Sequence, residues 1–189
     1  LVSGSGTFSS PRWSPSGHRL AYLSNTEGKT QLFVQWLDGG ETAKVTTLPE
    51  SPRSIVWSPD GKHIAFTRFV PSPPPKLADM PAKPKGAKWA EPATVVDRMT
   101  FRFDGGGYLP TGNQQVFVVP ADGGTPRQMT SGDYPISGSV SWMPDSQSII
   151  FSSNRREDVE YHPRQNDLYA ASLVTGELTQ MTDHAGPES

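Results

Sequence analysis

The side chains able to do chemistry fall in two stretches. Glu157, Asp158 and Glu160 gather three carboxylates, charge that suits a cationic group, but Arg155 and Arg156 precede them and balance it locally, so the plain reading is a solvated loop. Arg98 and Arg102 could face a carboxylate or simply edge a strand. The four histidines, His18, His63, His162 and His184, all sit in or beside turns and loops, where a solvated imidazole is expected. No Gly-x-Ser-x-Gly occurs, and no strand-turn-helix pattern offers a nucleophile elbow. With no cysteine there is neither a disulfide nor a thiolate metal site. The sequence therefore assigns no catalytic residue, no metal ligand and no cofactor to this chain.

What positions these residues is a repeat. Trp57-Ser58-Pro59-Asp60-Gly61 recurs as Trp13-Ser14-Pro15-Ser16-Gly17 and, degraded, as Trp142-Met143-Pro144-Asp145-Ser146. In each copy a tryptophan ends a short apolar strand. Pro59 presets φ for the first corner of the turn, and Gly61 accepts the left-handed conformation that closes it. A second strand follows, with Leu20 and Tyr22, Ile64 and Phe66, or Ile149 and Phe151 alternating at period two, so each pair shares a buried face. Asp38-Gly39-Gly40 and Asp122-Gly123-Gly124, with a weaker Thr175-Gly176, turn a third strand into a fourth.

Spacing shows that these are true repeats. Trp13 to Tyr22, Trp57 to Phe66 and Trp142 to Phe151 each span 9 positions, and Gly40 to Thr46, Gly124 to Thr130 and Gly176 to Thr182 each span 6. All the length variation falls between second and third strands, where Tyr22 to Phe33 is 11, Phe66 to Phe117 is 51 and Phe151 to Tyr169 is 18. Inserts entering at one loop position decorate one face of a repeat architecture. The larger insert, 70–112, opens on the proline-rich Pro71 to Pro84, expected to run exposed and polyproline-like. Its second half alternates from Thr94 to Phe103, with Met99, Phe101 and Phe103 on one side and Arg98, Thr100 and Arg102 on the other, which predicts an extra strand. The insert 155–166 is charged and is expected to be a loop.

Four-stranded antiparallel units with no helical period predict an all-β fold, a partial β-propeller of about three blades at 9–48, 52–131 (insert 70–112) and 137–183. Trp13, Trp57 and Trp142 are then expected to be buried wedges between blades. Three blades cannot close a ring, since propellers have 4 to 8. An open array leaves its end faces uncovered, so the sequence is expected to be an interior piece of a longer chain that alone is poorly stable or self-associates, without peptidase activity. A net charge of −2 over 189 residues, with no basic patch, argues against a nucleic-acid or anionic-membrane surface. No apolar run is long enough to span a bilayer.

The Trp-Ser-Pro-Asp-Gly blades resemble those of the translocation protein TolB and of the prolyl oligopeptidase family of serine peptidases. The run Val95-Val96-Asp97-Arg98-Met99-Thr100-Phe101-Arg102-Phe103-Asp104-Gly105-Gly106-Gly107-Tyr108, leading into Gln115-Val116-Phe117-Val118-Val119-Pro120-Ala121-Asp122-Gly123-Gly124, is similar to the propeller of bacterial acylaminoacyl-peptidase and dipeptidyl-peptidase relatives, and Pro81 to Trp89 strengthens the match. The resemblance implies a non-catalytic propeller that gates short or N-acylated peptides. It also implies an α/β-hydrolase domain downstream that carries a Ser-Asp-His triad. In dipeptidyl peptidases the propeller supplies acidic residues for the peptide's amino group, a role that Glu157, Asp158 and Glu160 would take, although Arg155-Arg156-Glu157-Asp158-Val159-Glu160-Tyr161 does not reproduce the family's paired glutamates. Family habit leans toward the periplasm of a Gram-negative bacterium. Two alternatives stay open, a TolB-like or WD-repeat-like interaction scaffold and a propeller enzyme with its site in the central channel. No Asp, Glu or His cluster recurs at the blade starts to support the second.

Overall fold

The computed structural model describes residues 5–73, 75, 76, 78, 81–90 and 93–183; the segment 184–189, His184 with it, lies outside them. No helix occurs among the described residues. In chain order the strands are β1 (Phe8–Trp13), β2 (Arg19–Ser24), β3 (Gln31–Trp36), β4 (Thr42–Lys44), β5 (Pro52–Trp57), β6 (His63–Pro71), β7 (Arg102–Phe103), β8 (Gly107–Tyr108), β9 (Gly112–Pro120), β10 (Arg127–Gln128), β11 (Ile136–Trp142), β12 (Ser148–Ser153), β13 (Asp167–Ser172) and β14 (Leu178–Gln180). They build three antiparallel sheets, β1-β2-β3-β4, β5-β6-β9-β10 and β11-β12-β13-β14, with β7-β8 a separate two-stranded ribbon. This is a partial all-β propeller.

The aromatic spacings are the register itself. Tyr22 lies opposite Phe33, Phe66 opposite Phe117 and Phe151 opposite Tyr169. Each pair stacks nearly parallel, with ring centroids 5.7, 5.6 and 6.0 Å apart. A one-residue slip would turn every such pair onto the wrong face. The larger insert leaves this ladder undisturbed and lengthens it, since β6 and β9 pair without interruption from His63 and Pro120 to Pro71 and Gly112. The recurring threonine is a latch beyond the short fourth strand. Thr46 Oγ1 accepts from Leu32 N (2.9 Å) and donates to Gln31 Oε1 (3.0 Å), and Thr130 does the same with Val116 N and Gln115 Oε1 (2.9 and 2.6 Å). Thr182 Oγ1 accepts from Leu168 N (2.9 Å) beside Asp167, which stands where the other blades have glutamine.

Strand alternation sorts the core into layers between sheets. Ala21, Leu23, Leu32 and Val34 meet Ile55, Trp57, Ile64 and Phe66, while Ala65, Val116 and Val118 meet Val140, Ile149 and Phe151. First strands pack on first strands, β1 on β5 and β5 on β11, and so form the inner edge of the fan. Trp57 and Trp142 reach back to the preceding sheet, Trp57 Nε1 donating to Arg12 O (2.9 Å) and Trp142 Nε1 to Val56 O (3.2 Å). The residue six positions after one tryptophan covers the next, the Arg19 guanidinium lying 4.9 Å from the Trp57 ring and the His63 ring 6.3 Å from Trp142. The expectation of three buried tryptophans therefore needs correction. Trp57 is 7% exposed and Trp142 is half-buried, but Trp13 is 54% exposed, because the cover comes from the preceding sheet and no sheet precedes β1 among the described residues. The solvated reading of His63 is corrected as well, since its ring lies against Trp142 and its Nδ1 is buried.

The turns hold through side chains. Ser58 Oγ donates to Asp60 Oδ1 (2.6 Å), which also accepts from Lys62 N (3.0 Å), and Gly61 has φ of 69°. In the degraded copy Ser146 takes glycine's place at φ 60°, and its hydroxyl accepts from Asp60 N (3.0 Å), so the strained residue gains a contact between blades. A second strained position recurs inside the first strands, where a bulge between Ser9 and Arg12, Arg53 and Val56, and Ser137 and Ser141 carries Ser10 (φ 54°), Ser54 (φ 50°) and Gly138 (φ 70°). For serine the left-handed conformation costs on the order of 1 kcal/mol.

Two outcomes follow from this packing. Trp57→Ala is expected to destabilise the chain by roughly 3–5 kcal/mol in denaturant unfolding, and Trp13→Ala by less than about 0.5 kcal/mol, as at an exposed site. Burial would raise the Asp60 carboxyl, but the Ser58 hydroxyl and the Lys62 amide bind its ionised form and hold it below the usual 3.8. Its contribution is thus complete above pH 3.8 and is lost as pH falls through the lowered value. Asp60→Asn should flatten this part of the acid limb of a stability–pH curve.

Candidate functional site

The extended ladder of β6 and β9 lifts the larger insert off the sheet, and Ser72 N adds one more bond to Thr111 O (3.0 Å). Gly112 closes it at φ 133°, where a β-carbon would overlap the Val70 carbonyl and the Phe69 ring, so only glycine fits. Beyond, β7 and β8 pair Arg102 with Tyr108 and Phe103 with Gly107, and Leu109 N returns to Phe101 O (2.8 Å). The Phe101 and Tyr108 rings lie 6.1 Å apart on this ribbon.

The extra strand expected from Thr94 to Phe103 is thus corrected to Arg102–Phe103. Alternation sorts side chains to two sides, but a strand also needs a partner for its backbone. Only the residues flanking the 104–106 turn find a strand partner. Met99, Phe101, Phe103 and Tyr108 are exposed rather than packed on a sheet. Of the proline-rich stretch, Ser72, Pro73, Pro75, Lys76 and Ala78 fall outside strands, and residues 74, 77, 79 and 80 lie outside the described set.

The smaller insert is tied to itself. Asn154, buried at its base, donates from Nδ2 to His162 O (2.8 Å) and accepts from Arg156 N (3.3 Å). Asp158 meets Arg156 Nε at 3.1 Å and His162 Nε2 at 3.5 Å. The hydrogen bond from Arg156 is the main cause holding its carboxyl below the usual 3.8. Glu160 Oε1 accepts from Met99 N (3.1 Å) and so joins the two inserts at the same end of neighbouring blades. Glu157 is exposed and, among the described residues, makes no hydrogen bond or ion pair. Among the described residues Arg98 and Arg102 make only long pairs, 3.9 Å each, with Asp97 and Asp104.

Sequence reasoning passed over a polar cluster beneath that loop. The Arg155 guanidinium lies 4.4 Å from the Tyr134 ring and 5.5 Å from Tyr169, and its Nη2 donates to Ser131 O (3.2 Å), tying blade three to the connection that enters it. Burial, and then the charge of Asp167, raises the Tyr169 hydroxyl above its usual value. The available signal was Asp167-Leu168-Tyr169 standing where the other blades have Gln31-Leu32-Phe33 and Gln115-Val116-Phe117.

A family profile described as the dipeptidyl peptidase IV (DPP IV) N-terminal region matches residues 86–189, more than half the chain, including the smaller insert and most of the larger one. The chain belongs to this DPP IV N-terminal family. An uncharacterized peptidase of Bacillus subtilis, YuxL, is 32% identical over 162 residues, covering 84% of this chain and 23% of the relative. Among solved structures, an acylaminoacyl peptidase of Pyrococcus horikoshii superposes with a TM-score of 0.63 at 18% identity, over 93% of this chain and 25% of that one. TolB from Acinetobacter baumannii gives 0.55 at 17%, over 98% and 35%. The DPP IV N-terminal chain thus spans about a quarter of the peptidases it matches. The solved structures support the same propeller fold.

The link between inserts has a direct readout. Glu160→Ala is expected to speed hydrogen exchange at the Met99 amide by roughly tenfold, the loss of one charge-assisted hydrogen bond. Glu157→Ala should leave that amide unchanged.

Proposed function

We propose that this chain is the non-catalytic propeller part of a serine peptidase acting on short or N-acylated peptides, and that it gates substrate on its way to an α/β-hydrolase domain elsewhere in the parent protein. The observation that carries the reading is the meeting of both inserts at one end, through Glu160 and Met99, in a chain of the DPP IV N-terminal family. That end is the one suited to face the hydrolase domain, whose Ser-Asp-His triad would supply the acyl-transfer chemistry. The exposed ribbon would then stand beside the path of the substrate and screen it by size.

Among the acidic residues, Glu157 is the one free to hold a peptide's amino group, because Asp158 is engaged by Arg156 and His162 and Glu160 by Met99. Arg102, exposed on the ribbon, is the better placed of the two arginines to meet a carboxylate, because Arg98 is largely covered. The test compares the full-length parent with a variant in which 98–110 is replaced by a short glycine linker. The variant is expected to hydrolyse dipeptide anilides as before but to cleave longer polypeptides faster. In the unmodified ribbon, Glu157→Ala should raise KM roughly tenfold for substrates with a free amino group and leave N-acylated ones unchanged, the loss of one charged contact. A parent that hydrolyses no peptide, or anilide hydrolysis by residues 1–189 alone, would overturn the reading.

A further inference from the structure

The three inner strands share an unusual feature that the gating role does not use. Each is the edge of its sheet, and each carries a bulge that interrupts its ladder with the second strand. In β5 the residues around the bulge are spoken for, with Ile55 packed in the core toward the first sheet and Val56 against the core toward the third. Arg53 and Ser54, at the bulge, belong to neither core cluster and are exposed. Ser9 on β1 and Gly138 and Ser139 on β11 are likewise exposed at the corresponding bulges. Among the described residues no hydrogen bond or ion pair engages the Arg53 guanidinium, or the hydroxyls of Ser9, Ser10, Ser54 and Ser139. No carboxylate-bearing residue occurs in any of the three inner strands.

Serine holds the left-handed position in two blades although glycine, which adopts it without strain, holds it in the third. Strain kept at a recurrent position, exposed at Ser54 and half-buried at Ser10, points to use of what the side chains present. Together the bulges offer one unpaired guanidinium among free hydroxyls and unpaired edge backbone groups, the donor set that recognises a carboxylate.

We infer that the bulged inner edge, centred on Arg53 with Ser54 and flanked by Ser10 and Ser139, is a carboxylate-recognition site that favours acidic peptides. The inference rests on the peptidase reading only for its kinetic consequence. The test uses the full-length parent and two matched probes, acetyl-Glu-Glu-amide and acetyl-Gln-Gln-amide, in calorimetric titration. The unmodified protein is expected to bind the acidic probe about tenfold more tightly, the scale of one charge-assisted contact. Arg53→Ala should abolish that preference, Arg53→Gln should do the same while keeping length and polarity, and Ser54→Ala should reduce it, all without loss of thermal stability. In hydrolysis of matched acidic and amide substrates, Arg53→Ala should raise KM for the acidic one alone and leave kcat in place. Equal binding of the two probes by the unmodified protein, or an undiminished preference in both Arg53 variants, would overturn the inference. If the preference depends on Arg53 but the parent hydrolyses no peptide, the site stands and the peptidase reading falls.

Discussion

The indole N–H of one blade resting on a backbone carbonyl of the blade before it is the contact on which the array depends. Trp57 to Arg12 and Trp142 to Val56 repeat the same bond at the same place in the strand, the acceptor being the residue just before the previous tryptophan. A large ring must enter far enough for its one polar atom to find a partner, and that depth sets how closely two sheets approach. Once it is set, strand alternation has no freedom left, and Ile64 and Phe66 must face one neighbour while Ala65 faces the other. The cover supplied by Arg19 and His63 closes each wedge from the second strand.

Much of this was legible in residue types and spacing. Equal distances from tryptophan to second-strand aromatic implied equal hairpins, and the aromatic taken as the third-strand mate in each blade is its stacked register partner. What spacing could not convey was direction. It marks a tryptophan as a wedge without saying which neighbour receives it, so Trp13 was expected to be buried like the others. Nor does alternation report whether a strand has a partner, and Thr94 to Thr100 shows the pattern without the pairing.

The insert-bearing end was legible in charge and illegible in connectivity. Three carboxylates in four positions look equivalent in a sequence, yet an arginine two positions earlier occupies Asp158, a backbone amide sixty-one positions away occupies Glu160, and Glu157 is left exposed. The inner-edge bulges were hidden for another reason. Serine is unremarkable in a strand by composition, and only its backbone angle distinguishes Ser10 and Ser54 from their neighbours.

The last rung of the extended ladder, Pro71 opposite Gly112, fixes the two feet of the larger insert at the separation of one strand pair. For a flexible loop between fixed feet, doubling its length adds only about 0.6 kcal/mol of closure entropy. The blade below is therefore nearly indifferent to what is carried above that rung. A forty-residue appendage could be trimmed, exchanged or rewritten over generations while the sheet beneath keeps its register, making this rung a socket at which new specificities can be fitted to an unchanged scaffold.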